Sequence, residues 1–280
     1  MSLTTFLDKP DVREKFSSEF EKPKFQVKKG IVASPLTKHY GLVGTAFDYL
    51  LRFHIEYWNS QIVKRQNWIA EVAVHRLSDE YLEKGKVIVT QAKTNLNRFL
   101  ETGKVNDELL KSALLLAGLD PIVRAGVGQE YIGLIDEQDI QDLRNLISAI
   151  ELQIFKAEKY CLLNPTFGKA SLLVGGADAD LIIDGSIIEI KTTKNLELKR
   201  DHFNQLIGYY ILYTLDGING ERCSPEISKL AIYFSRHAYY HVIEIDEIIS
   251  RESFPHFVKW FEERASQDLK AQHGRSHEKR

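Results

Sequence analysis

Residues 181–191 contain two short apolar segments that are joined by the dipeptide Asp184-Gly185. Asp-Gly between apolar segments is the strongest short-range signal of a two-residue β-hairpin. A two-residue loop fixes the register, so Ile183 faces Ser186 and the other pairs follow in order. The sequence therefore predicts one registered pair of antiparallel strands, and this pair constrains where the neighbouring polar residues lie.

The same register brings charged side chains together at the open end of the hairpin. Asp180 faces Glu189, and the period of two along a strand places Lys191 on the same face. Two opposed carboxylates repel each other, and a divalent cation between them removes that cost. Mg²⁺ and Mn²⁺ prefer such oxygen ligands. Asp178 is a rival to Asp180, but it lies opposite Lys191, one step further from Glu189.

A helix is expected to follow the hairpin over residues 199–215, and it carries Gln205 and Tyr209 one turn apart on one face. An aspartate, then Glu-x-Lys on the next strand, then Gln-x-x-x-Tyr on a helix resembles the PD-(D/E)XK nuclease superfamily, and within it the RecB-like branch. The family's proline is absent, because Ala179 precedes Asp180. The resemblance implies a metal-dependent enzyme that hydrolyses phosphodiester bonds of DNA.

The resemblance also assigns roles to individual residues. It implies that Asp180, Glu189 and the backbone carbonyl of Ile190 hold Mg²⁺ or Mn²⁺. It implies that Lys191 orients the attacking water. The helix that follows would then support this lysine and the scissile phosphate, through Gln205 and Tyr209.

A further motif lies near the start of a predicted helix over residues 42–76. Gly44-Thr45-Ala46-Phe47-Asp48 resembles the Gly-Thr-x-x-His motif that opens the RecB-like core, with Asp48 in place of the metal-binding histidine. Aspartate is an oxygen ligand suited to a hard cation, and the replacement favours Mg²⁺ over Mn²⁺. The alternative is that Asp48 is an exposed helical residue.

Two basic residues are candidate contacts to the DNA backbone. Lys194 follows the Glu-x-Lys strand, where the substrate is expected to run. Arg236 lies in the turn of a second predicted hairpin, formed by residues 229–246. The alternative for Lys194 is a solvated loop lysine.

Composition limits the class of protein. The formal net charge is −2, which neither indicates nor excludes nucleic-acid binding, because a local basic groove can hold phosphates. Two cysteines are too few for a four-cysteine iron–sulfur or zinc site. With no apolar run long enough for a membrane span and no signal peptide, the prediction is a cytoplasmic protein that does not enter a membrane.

The expected architecture is α/β, a restriction-endonuclease-like core in which helices flank a small mixed sheet of four or five strands. The domain is expected over residues 41–262, with a helical insertion at about 60–150 and an extended or loosely helical lead-in over 1–40. The charged tail over 263–280 is expected to be a fraying helix and disorder. The pattern also predicts a long helix over 137–160 and a first core strand at 170–175.

Two hypotheses for function follow. The first is a metal-dependent nuclease acting on DNA. RNA is an alternative substrate, because the sequence identifies no residue that would recognise the 2′-hydroxyl by which RNA differs from DNA. The second is a nuclease-fold DNA-binding or scaffolding subunit of a larger DNA-processing or defence complex. Opposed acids are costly in a module that only binds, which favours the enzyme. The chain has no helicase motif, so a motor would be a separate protein partner.

Overall fold

The computed structural model describes residues 2–124, 126, 129–219 and 225–277, so Cys223 lies outside the described residues. The helices are α1 (Leu3–Leu7), α2 (Pro10–Glu19), α3 (Tyr40–Trp58), α4 (Ile69–Val74), α5 (Asp79–Thr102), α6 (Asp107–Arg124), α7 (Glu137–Ser148), α8 (Gly168–Leu173), α9 (Arg200–Asp216), α10 (Ile245–Ile248) and α11 (Phe254–His277). The strands are β1 (Val63–Arg65), β2 (Cys161–Leu163), β3 (Leu181–Ile183), β4 (Ser186–Lys191), β5 (Lys229–Phe234) and β6 (Tyr239–Glu244).

The strands form one mixed sheet, which has six strands in the described part of the chain and the order β1-β2-β3-β4-β5-β6. The pairs β1/β2 and β4/β5 are parallel, and the other neighbours are antiparallel. The predicted α/β class with a mixed sheet flanked by helices is confirmed, but the number of strands is larger than expected. The extra edge strand β1 falls within the predicted helix 42–76, which ends at Trp58 and resumes only at Ile69.

The hairpin of β3 and β4 has the predicted register, in which Ile183 pairs with Ser186. Asp184 and Gly185 have φ angles of 42° and 86°, the left-handed conformations that a tight two-residue turn requires. The carboxylate of Asp184 also accepts hydrogen bonds from the backbone N–H groups of residues 158–160. These bonds tie the turn to the segment that leads into β2.

The sheet is buried on both faces, because alternate residues of its central strands enter two different hydrophobic cores. Ile188 and Ile190 of β4 pack in the core formed by α3, α5, α6 and α7. Ile187 packs in the core formed by α1, α2, α8, α9 and α11. Because side chains alternate between the two faces of a strand, Glu189 and Lys191 lie with Ile187 on the α9 side of the sheet.

Two predicted elements between α7 and β3 are wrong. Residues 168–173 form helix α8 rather than a strand, and the hydroxyl of Ser171 accepts a hydrogen bond from the N–H of Phe167 at its start. The helix predicted over 137–160 ends at Ser148. Beyond it, the side chain of Asn59 bonds the carbonyl of Phe155 and the N–H of Ala157, which holds this backbone in a non-helical path.

Helices α1 and α2 near the start of the chain and α11 near its end pack in the second core. The predicted lead-in is helical over α1 and α2, and the predicted helix of the tail is anchored by tertiary contacts. The rings of Phe16 in α2 and Phe257 in α11 pack edge to face with centroids 5.1 Å apart. Lys9 and Asp268 form an ion pair of 2.6 Å between the two ends. The tail is therefore helical through residue 277, because tertiary contacts along its first half hold it.

None of the helices within the described residues has the length and apolar character needed to cross a membrane.

Candidate active site

A pocket of about 260 Å³ opens between the N-terminal half of α3 and the carboxyl end of β4. It brings together residues that are far apart in sequence, and its lining is Tyr40, Gly41, Gly44, Thr45, Asp48, Asp180, Glu189, Ile190 and Thr192. All three predicted acidic metal ligands are in this set. Helix α3 and the β3–β4 hairpin pack on each other through the first core, which positions the acids at one end of the sheet.

Asp180 and Glu189 are the central acids of the pocket. One oxygen of Asp180 accepts a hydrogen bond of 2.7 Å from the backbone N–H of Ile190, which fixes the carboxylate across the open end of the hairpin. Burial, together with the negative charges of Glu189 and Asp48, raises the pKa of Asp180 well above its ordinary value. The charge of Glu189 thus opposes ionisation of Asp180, which is the direction expected for opposed carboxylates.

The two oxygens of the buried Glu189 carboxylate have different surroundings. Oε1 accepts hydrogen bonds from Lys191 Nζ at 2.7 Å and from Gln205 Nε2 at 3.0 Å. Oε2 is buried and has no hydrogen-bond partner among the described residues. A buried carboxylate oxygen without a partner is unfavourable, so this atom is suited to receive a cation.

Lys191 lies between the acids and helix α9. Burial opposes its charged form, but the nearby carboxylates, led by Glu189, outweigh burial and raise the pKa of Lys191. Its ammonium group donates to Glu189 Oε1 and to Gln205 Oε1, the second at 3.1 Å. A lysine with a raised pKa is a cation at neutral pH, and this cation can orient a water molecule or a phosphate.

Gln205 and Tyr209 share one face of α9, as the spacing predicts, and that face meets the sheet at Glu189. Gln205 Nε2 donates to the hydroxyl oxygen of Tyr209 at 2.7 Å as well as to the glutamate. Burial, and then the charge of Glu189, raises the pKa of Tyr209 well above its ordinary value. Phe167 stacks on the tyrosine ring at 5.5 Å, so the amide and the phenol form a rigid support behind Lys191.

Asp48 lines the pocket from α3 and is joined to Arg52, a residue that no motif of the sequence indicates. Arg52 Nη2 donates to Asp48 Oδ2 at 2.6 Å, and its guanidinium lies over the Tyr49 ring at 4.7 Å. The spacing of four residues along a helix is the signal that could have found this pair. Asp48 is thus not an exposed helical residue, and its carboxylate is held by a buried cation.

The rival aspartate occupies a different position. Asp178 does not line the pocket and receives a 3.4 Å hydrogen bond from the side chain of Asn164. The β3–β4 ladder ends at the pair Leu181–Ile188, so the predicted pairing of Asp178 with Lys191 is not formed. Of the two aspartates, Asp180 is the one beside Glu189.

The two predicted phosphate contacts have different environments. Lys194 is exposed, with its ammonium group 2.9 Å from the hydroxyl of Tyr40 and over that ring. Arg236 is 1% exposed and makes a two-pronged ion pair with Asp142. Its guanidinium also donates to the carbonyl of Ala33. Arg236 is therefore a buried structural cation, and the prediction that it contacts phosphate is wrong.

Comparisons of this chain with protein-family models, with curated proteins and with solved structures find no match.

The donor set fits a hard divalent cation. Asp180 and Glu189 supply carboxylate oxygens, and Ile190 places its backbone in the same pocket. Within the described ranges no group of three or more His, Cys, Asp or Glu side chains is arranged to hold a metal ion. One or two carboxylates are the usual protein contribution to a Mg²⁺ site.

Proposed function

We propose that this chain is a metal-dependent nuclease that hydrolyses phosphodiester bonds of DNA, with a restriction-endonuclease-like core of the PD-(D/E)XK type. The observation that carries the proposal is that the two carboxylate oxygens of Glu189 have different surroundings. One of its oxygens is held by Lys191 and Gln205, and the other is buried without a partner in the described residues, beside a second carboxylate. A site that only binds phosphate has no use for two opposed acids.

Each residue of the proposed site has a defined task. Asp180 and Glu189, with the Ile190 carbonyl and Asp48 nearby, would hold Mg²⁺ or Mn²⁺. When bound, the cation would lower the pKa of an adjacent water molecule and stabilise charge on the phosphate oxygens.

Lys191 would donate hydrogen bonds that orient the attacking water, and its positive charge would offset the negative charge that develops on the phosphate. Gln205, held by Tyr209, fixes the position of this ammonium group.

The cytoplasm is the proposed location, and RNA is an alternative substrate.

The proposal is tested by cleavage of circular single-stranded DNA, plasmid duplex and linear DNA in EDTA, Mg²⁺ or Mn²⁺. We expect cleavage only with metal, and a decrease of about 10³-fold in Glu189→Gln, since each 1.4 kcal/mol of lost transition-state stabilisation is tenfold and metal chemistry contributes several kcal/mol. Glutamine keeps an oxygen for Lys191 and removes the charge of the partnerless oxygen.

Control reactions separate the outcomes. Full activity of Glu189→Gln would identify a contaminant nuclease and would overturn the proposal. Metal-independent binding without cleavage of any substrate would instead favour a DNA-binding subunit of a larger complex. Cleavage that requires a second protein would indicate a partner-dependent nuclease.

Lys194 provides an independent test of where the DNA backbone runs. We expect Lys194→Ala to weaken binding to every DNA sequence, and to make the slope of log affinity against log salt shallower by about 0.7–0.9, the value for one phosphate contact. The matched control is Lys28→Ala, because Lys28 is also exposed and does not line the pocket that contains Asp180 and Glu189. An equal effect of both variants would show that Lys194 contributes only to net charge.

A further inference from the structure

A cavity of about 1290 Å³ lies directly beside the acidic pocket. Its walls are the start of α3, the second half of α6 and the described residues of the segment 130–139. The cavity and the acidic pocket share Tyr40, Gly41 and Thr45 in their linings, so the two are immediate neighbours. Nothing in the proposed hydrolysis uses the larger part of this space.

The cavity has an apolar wall that is open to solvent. Leu42, Leu114 and Ile135 line it. At its mouth Leu134 is 66% exposed and Tyr40 is 44% exposed. Exposed apolar groups that line a concave surface mark a ligand site. The volume is above the range of about 300–1,000 Å³ that small-molecule pockets occupy, so it suits a larger ligand.

The charges around the cavity indicate which part of a nucleic acid could enter. Its ionisable lining is mostly acidic and includes Glu130, Asp136 and Glu137, which repel phosphate. The basic groups Lys38 and Lys194 lie towards Tyr40, the first in the cavity wall and the second bonded to the tyrosine hydroxyl. A DNA backbone is therefore favoured on the Tyr40 side, while uncharged bases are favoured inside.

We propose that this cavity receives unpaired bases of single-stranded DNA next to the phosphate that is cleaved, with one base stacked on the face of the Tyr40 ring that Lys194 does not cover. The inference rests on the proposed nuclease function and specifies its substrate class. Bases in a duplex are stacked and paired, so they reach such a cavity only after strand separation. Stacking on an aromatic ring is independent of sequence, because every base has a π-face. Single strands and frayed ends are the substrates that fit.

Two variants alter the cavity while the acids stay intact. Gly118 lines the cavity, and a Cβ atom added there meets no other atom within 4 Å, so Gly118→Phe places a ring in the space without a clash at the backbone. Leu134→Glu adds a charge at the mouth. Its matched control is Leu172→Glu, because Leu172 is 65% exposed and lies outside both pockets. The steric control is Gly30→Phe, which also has open space around its Cβ.

The first measurement is binding in EDTA, which needs no catalysis. The probe is a single-stranded DNA oligonucleotide that carries 2-aminopurine, whose fluorescence reports base stacking, beside a duplex of the same sequence. We expect the wild type to prefer the single strand, and Gly118→Phe and Leu134→Glu to weaken that binding by about tenfold, the scale of one lost stacking contact. Both control variants should bind like the wild type, and melting temperatures verify that every variant is folded.

Cleavage with Mg²⁺ is measured on the same variants, so that the two proposals fail separately. Loss of single-strand binding in the cavity variants, with no cleavage by the wild type, would support the cavity site and overturn the nuclease. Cleavage of single strands that Gly118→Phe and Leu134→Glu leave unchanged would support the nuclease and overturn the cavity site. A wild type that binds duplex as tightly as single strands would also overturn the cavity site.

Discussion

Replacement of Asp180 by asparagine is expected to lower metal-dependent cleavage by about 10³-fold or more and, in EDTA at neutral pH, to stabilise the fold. The loss of activity follows from the loss of a metal ligand, which supplies several kcal/mol of transition-state stabilisation. The gain in stability follows from the removal of a carboxylate that faces Glu189, a repulsion worth about 1 kcal/mol. Asparagine keeps an oxygen to accept the 2.7 Å bond from the N–H of Ile190.

The stabilisation should depend on pH in a defined direction. Burial and nearby charges raise the pKa of Asp180 in the folded protein above its ordinary value of 3.8. The folded protein therefore holds this proton more tightly than the unfolded chain, and the wild type loses stability as the pH rises from about 4 through the folded pKa. Asp180→Asn lacks this loss, so its advantage should be absent near pH 4 and should grow as the pH rises, until the pH exceeds the folded pKa of Asp180.

Thermal unfolding with and without Mg²⁺ completes the test. Mg²⁺ should raise the melting temperature of the wild type, because a ligand that binds only the folded state stabilises it. It should leave that of Asp180→Asn nearly unchanged. Asp178→Asn is the matched control and should retain cleavage and the Mg²⁺ response. If Asp178→Asn lost cleavage and Asp180→Asn kept it, the assignment of the metal ligand would have to be exchanged.

Replacement of Arg236 by methionine is expected to lower the free energy of unfolding by about 3–5 kcal/mol, because it leaves the buried carboxylate of Asp142 without its cation. The pair joins the turn after β5 to α7, with bonds of 2.8 and 3.1 Å. Urea denaturation measures the change. The double variant Arg236→Met with Asp142→Leu should recover most of the lost stability, because no uncompensated charge stays buried.

The same variants distinguish a structural role of Arg236 from a role in phosphate binding. At a temperature where the double variant is folded, its DNA affinity should have the same salt dependence as that of the wild type. A slope shallower by about 0.7–0.9, with little change in stability, would restore the prediction that this arginine binds phosphate.

Local sequence determined the β3–β4 hairpin and the cluster at its open end. Asp184-Gly185 supplies a turn that only certain residues can form, and its two-residue length fixes the register. The register in turn places Glu189 and Lys191 on one face beside Asp180, and the helical spacing of Gln205 and Tyr209 places both on one face of α9. These relations involve neighbours along a strand, a turn or a helix, so they can be predicted from the printed sequence.

Tertiary structure alone decided the features that join distant segments. Strands β1 and β2 have three residues each, and their pairing depends on the sheet that β3 and β4 provide. Arg236 is a core residue because folding brings Asp142 against it, although an arginine in a hairpin turn is typical of an exposed position. The large cavity likewise forms only where α3 and α6 meet the segment 130–139. Burial and charge pairing depend on three-dimensional proximity, whereas turns and periodic patterns are determined by residues that are close together in the sequence.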